Sequence, residues 1–102
     1  MRIGKVDVPI DQVQAFCKKW KVRELSLFGS VLRDDFGPES DVDVLVSLEK
    51  DQKMTVESFL DMRQELSAMF GGREVDLVQK RLLKNPFRRY DILTTREVVY
   101  AA

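Results

Sequence analysis

Asp41 and Asp43 stand two residues apart at the head of DVDVLVSL, whose apolar residues become nearly continuous after Asp43. On a β-strand this spacing puts both side chains on one face, about 7 Å apart along the backbone. Two carboxylates on one face repel each other and lose solvation, so an apolar strand that starts this way calls for a compensating charge. A divalent cation supplies one. Magnesium takes oxygen ligands, commonly one or two carboxylates completed by substrate phosphates. A third acid, Asp76, lies inside the apolar segment EVDLV. If that segment neighbours Asp41–Val46, three carboxylates converge on one sheet face, as in two-metal phosphoryl- and nucleotidyl-transfer sites.

A phosphate site is legible just upstream. Gly29-Ser30 falls where the strand-like ELSLF stops and a helical turn begins. Glycine lets a phosphate come close to the backbone, the free N–H groups of the turn attract anions, and the Ser30 hydroxyl offers one more donor. Arg33, one turn on, can offer a planar fork to phosphates. Each feature also has a plainer reading. Gly29-Ser30 can be an ordinary turn with Ser30 as a helix cap, and Arg33 can pair with Asp34 or Asp35 at the surface for little energy.

The elements that must position these residues follow from periodicity. Ile10, Val13, Phe16, Cys17 and Trp20 recur at helical spacing and predict a helix from about Pro9 to Trp20, with Pro9 in its first turn. Glu24–Phe28 reads as a short strand, Ser30–Arg33 as a helical turn, and Asp34–Ser40 as a loop containing Gly37-Pro38. Asp41–Leu48 is the strongest strand and is expected at the centre of a sheet. A helix over Thr55–Phe70, with Val56, Phe59, Leu60, Leu66, Met69 and Phe70 as its buried stripe, is ended by Gly71-Gly72. Glu74–Gln79 is a third strand, Asn85 or Pro86 to Leu93 a last helix, and VVY an extended tail. The expected fold class is α/β (α+β): a small mixed sheet flanked by helices, in a single domain over 1–102.

With those parts in order, Gly29-Ser30, Arg33, Ser40-Asp41-x-Asp43 and the later Asp76 resemble the signature of the DNA polymerase β-type nucleotidyltransferase superfamily. The GSxxRxD…SDxDxxV spacing is similar to that of its minimal nucleotidyltransferase (MNT) branch, whose members are commonly antitoxins paired with HEPN ribonuclease toxins. The resemblance implies a polymerase β-like core. It implies that Asp41 and Asp43 bind metal, that Asp76 is the third metal-site carboxylate and activates the acceptor hydroxyl, and that Gly29, Ser30, Arg33 and Ser40 contact the nucleotide. The implied reaction moves AMP from ATP, with two Mg2+ ions, onto a tyrosine hydroxyl of a HEPN toxin. Around the arginine the chain departs from the family's small residue and glycine, with Leu32 and Asp34 instead. Two other functions are weighed against this one: a binding module that neutralises a toxin by masking it, and a small-molecule nucleotidyltransferase, for which the chain has no residues left to build a closing domain.

Composition narrows the field in the same direction. The chain has 102 residues, 44% of them hydrophobic, a size and apolar content suited to one domain with one core. It contains no histidine, which excludes Ser-His-Asp, Cys-His and His-zinc chemistry within this chain and leaves carboxylates and oxygen-bound metals. A single cysteine, Cys17, excludes an internal disulfide and fits a reducing compartment; it reads as a small buried hydrophobe. No apolar run reaches the length of a membrane span, and the start MRIGKVDVPI lacks the long apolar stretch of a secretory signal, so a cytoplasmic protein is expected. Seventeen basic residues balance seventeen acidic ones, which argues against bulk nucleic-acid binding. The neutral sum hides an acidic stretch, Asp34–Asp51, and a basic one, Lys80–Arg89. The basic run reads as a solvated face or as one that meets nucleotide phosphates or an acidic partner.

Overall fold

The computed structural model describes residues 1–102. Along the chain run β1 (Arg2–Ile3), β2 (Val6–Asp7), α1 (Ile10–Trp20), β3 (Val22–Phe28), a 3-10 turn at Gly29–Leu32, β4 (Val42–Leu48), α2 (Val56–Met69), β5 (Val75–Gln79), a second 3-10 turn at Lys80–Leu82, α3 (Pro86–Thr95) and β6 (Glu97–Ala101). The four longer strands form one mixed sheet in the order β5-β4-β3-β6. β3 runs antiparallel to both β4 and β6, whereas β4 and β5 are parallel. The expected mixed sheet with flanking helices is present, and β4, the most apolar strand, lies inside it.

Alternation along the strands sorts the core into two layers. Val42, Val44 and Val46 of β4 join Leu25, Leu27, Val75 and Leu77 in the main cluster, covered by Val13 and Phe16 of α1 and Met62 and Leu66 of α2. The opposite face carries Phe28 and Leu45, capped by Leu83 and by Ile92 of α3. Asp43 belongs to this second, thinly covered face.

Several expectations are corrected in detail. The residues before Pro9, for which the sequence predicts no element, form a hairpin: β1 and β2 pair around the two-residue turn Gly4-Lys5, and Ile3, Val6 and Val8 are buried. Pro9 is the N-cap of α1 and lies outside its first turn. Val56 and Leu60 are 80% and 50% exposed, so neither belongs to the buried stripe of α2, which runs through Phe59, Met62, Leu66 and Phe70. One residue along a helix turns the side chain by about 100°, which carries Leu60 off the face that Phe59 shares. The start of α2 is fixed by Thr55, whose side chain and amide exchange hydrogen bonds with Ser58. The tail VVY becomes edge strand β6, paired with β3.

Candidate active site

The site lies where β3 ends and β4 and β5 begin, on the second face of the sheet. Register places Phe28, Asp43 and Asp76 side by side across the three strands, with Phe28 opposite Asp43 and Asp43 opposite Asp76. Both Asp43 and Asp76 sit at the second residue of their strands, so the parallel pairing of β4 and β5 brings the two carboxylates to neighbouring positions. Asp41 immediately precedes β4 and is exposed, as is Asp76, whereas Asp43 is half-buried.

Electrostatics separate these three acids. Burial pushes the Asp43 carboxyl above its ordinary 3.8, and the neighbouring Asp76 and Asp41 charges push it further; the Ser30 amide and Arg33 pull the other way. A carboxylate held up by burial and by two like charges gains from any cation placed among them. The residues therefore fit a hard divalent ion. The three carboxylates do not close into a single ligand group of their own.

The Gly29 turn packs against Asp43 from the side. Gly29 has φ +73°, and a Cβ there would collide with the Asp43 Oδ2. Only glycine gives both the left-handed backbone and the space. Ser30 then ties the turn to the strand, its hydroxyl donating to the Asp41 carbonyl at 3.3 Å. Arg33 lies 3.5 Å from Asp35 and both are exposed, so the plainer surface pairing is made. Ser40 accepts a hydrogen bond from the Gly37 amide at 2.9 Å and its own amide donates to the Gly37 carbonyl at 3.1 Å. It closes the loop that delivers Asp41.

Two positioning groups have no signature in the linear sequence. Arg73 donates to the carbonyls of Gly37 and Ser40 at 2.8 and 3.1 Å and stacks 4.6 Å over the Phe36 ring. It holds the 34–40 loop from a position more than thirty residues away. Gly4, in the hairpin turn with φ +57°, presses its backbone on the Val31 carbonyl so closely that a Cβ would collide with it. Lys5 donates to the Asp34 carbonyl at 2.6 Å. The hairpin thus braces the 3-10 turn behind Ser30. Only the tertiary fold reveals either contact. Cys17, buried in the main core with its thiol pushed up to about 12 by burial, takes no part in the site.

A mixed sheet with paired acids at its strand ends and a glycine-serine turn beside them defines a nucleotidyltransferase architecture. The nucleotidyltransferase domain family matches residues 10–99, and the chain belongs to it. Among curated relatives, the protein adenylyltransferase MntA of Thermococcus cleftensis is 37% identical over 83 residues, spanning 81% of this chain and 78% of the relative. A proposed protein adenylyltransferase of Methanocaldococcus jannaschii is 31% identical over 74 residues, 72% of this chain and 73% of the relative. The fold is similar to that of a toxin–antitoxin solved with AMP-PNP, at a TM-score of 0.72 and 18% identity, covering 92% of this chain and 74% of that one. A proposed minimal nucleotidyltransferase superposes at a TM-score of 0.69 with 28% identity, over 86% of both chains.

Proposed function

We propose that this chain is an antitoxin of the MNT type: an ATP- and magnesium-dependent adenylyltransferase that moves AMP onto a tyrosine hydroxyl of a HEPN ribonuclease toxin. The observation that carries the reading is Asp43, half-buried against Gly29, its carboxyl pushed up first by that burial and then by the adjacent Asp76 and Asp41 charges. An uncompensated arrangement of this kind costs stability, and a magnesium–triphosphate complex offsets that cost. Protein adenylyltransferase relatives and toxin–antitoxin structures of the same fold support the acceptor class.

Asp41 and Asp43 would hold the magnesium ions, with Asp76 completing the set. Bound there, magnesium neutralises charge on the transferring phosphoryl group and on the leaving oxygens. Gly29 gives the phosphates access to the backbone of its turn, and Ser30 fixes that turn beside them through its hydroxyl on the Asp41 carbonyl and its amide on Asp43. The tyrosine oxygen forms a bond to the α-phosphorus of ATP as the bond to the bridging oxygen of pyrophosphate breaks. The hydroxyl proton passes to the Asp76 carboxylate, and pyrophosphate leaves.

Ligand-dependent stability tests the nucleotide half of this reading. A ligand bound only by the folded state raises apparent stability, by roughly 2.7 kcal/mol at a hundredfold excess over its Kd. The melting temperature should rise with ATP and magnesium together and much less with either alone. No rise with both present removes the catalytic reading in favour of neutralisation by masking.

A further inference from the structure

A cleft of about 810 Å³ opens beside the Gly29 turn, between the N-terminal hairpin and α3. Its walls include Gly29 and Arg33 on one side and Arg88, Asp91 and Ile92 of α3 on the other, and none of the three site aspartates lines it. Its place relative to those aspartates is set by the strand order. Asp76 on β5, Asp43 on β4 and Phe28-Gly29 on β3 stand in sequence across the sheet, so the cleft lies on the far side of Asp43 from Asp76.

Nucleotidyl transfer is an in-line displacement, with the attacking and leaving oxygens on opposite sides of the phosphorus. If the acceptor hydroxyl is served by Asp76, the pyrophosphate end of the nucleotide points toward Gly29 and into this cleft. Three arginines line it: Arg2, Arg33 and Arg88. Arg2 pairs with Asp7 at 3.4 Å, and Arg33 with Asp35. The Arg88 guanidinium has neither an ion pair nor a hydrogen bond within the chain, although Asp91 lines the same wall one turn further along α3. A planar guanidinium is the side chain best shaped to hold phosphate oxygens in two places at once.

We infer that Arg88 of α3, reaching across the cleft from the Gly29–Arg33 turn, binds the β- and γ-phosphates of the nucleoside triphosphate and holds pyrophosphate as it leaves. This rests on the nucleotidyltransferase reading above and extends it to a helix that carries none of the motif residues. Arg88 selects triphosphate over monophosphate, while the aspartates act at the α-phosphorus.

Calorimetry on the full chain separates the two assignments. With magnesium present, Arg88→Ala should weaken binding of ATP and of inorganic pyrophosphate by roughly tenfold or more, the scale of one charge-assisted phosphate contact. Binding of AMP should stay within about twofold, and Arg88→Lys should recover part of the loss. Arg88 is exposed and holds no other group, so the variants keep the fold. Unchanged ATP and pyrophosphate affinity in Arg88→Ala, or an equal loss for AMP, overturns the assignment of Arg88. If the unsubstituted chain binds neither magnesium–ATP nor magnesium–pyrophosphate, the underlying nucleotidyltransferase reading fails instead.

Discussion

The metal-binding role proposed for Asp43 pulls against its surroundings. Its burial, and then its acidic neighbours, disfavour the charged form, and the charged form is what a metal ligand requires. The pKa in the folded chain lies above the unfolded value of 3.8, so the folded state binds the proton more tightly. Stability is therefore lost as pH rises from that value through the raised pKa, and the loss is complete once pH lies above the raised pKa. Asp43→Asn removes it. Without metal, the variant should melt above the unsubstituted chain at neutral pH, and the gain should shrink to nothing as pH falls below 3.8. Thermal melts in a chelating buffer across that range check the sign; an equal or lower melting temperature at pH 7 would show that Asp43 is not held under strain. Of this residue-scale picture, the sequence displays the acids and the Gly29-Ser30 step, because residue type and spacing along a strand are visible in one dimension. Which acid is buried is not. That depends on Asp43 sharing with Leu45 the face that α3 only partly covers, while Val44 points the other way.

At the scale of elements, the loop from Asp34 to Ser40 and the hairpin before Pro9 decide where the site residues point. Both are held by contacts remote in sequence. Arg73 precedes β5 and reaches back to the Gly37 and Ser40 carbonyls, so the segment that delivers Asp76 also fixes the loop that delivers Asp41. Arg73→Ala should cost about 2 kcal/mol, the range for hydrogen bonds from a charged donor, read by urea unfolding. It should also slow AMP transfer, and Arg73→Lys should recover stability only in part, because an ammonium lacks the planar group that stacks on Phe36. Full stability and full activity in Arg73→Ala would remove this positioning role. The periodicity of α1, β4 and β5 made these elements legible, since each carries an apolar repeat strong enough to place it. The β1–β2 hairpin escaped because two residues per strand leave no period to detect, and its Gly4-Lys5 turn lacks the Asn-Gly or Asp-Gly that marks such turns. The exposure of Val56 and Leu60 was hidden for a related reason: apolar residues slightly off the stripe read as part of it until the neighbouring sheet is placed.

The whole molecule divides its labour between the two faces of one sheet. Helices α1 and α2 seal the first face over the main core, with Trp20 and Lys19 of α1 both bonded to Glu65 of α2 at 3.2 and 3.0 Å. The second face holds the aspartates, a small core under α3, and the cleft beside Gly29. No helix is long and apolar enough to cross a membrane. A zero net charge, which at first only argues against bulk nucleic-acid binding, resolves into acids gathered around Asp41 and Asp43 and bases gathered on and before α3. A site open on this face suits a protein hydroxyl as acceptor. The most direct test of that claim is transfer of AMP from α-labelled ATP to a co-expressed HEPN-family partner, comparing the unsubstituted chain with Asp41→Asn/Asp43→Asn. Label should appear on the partner in AMP steps with the unsubstituted chain and be absent with the double variant, which should remain folded. Undiminished labelling by the double variant would contradict the account.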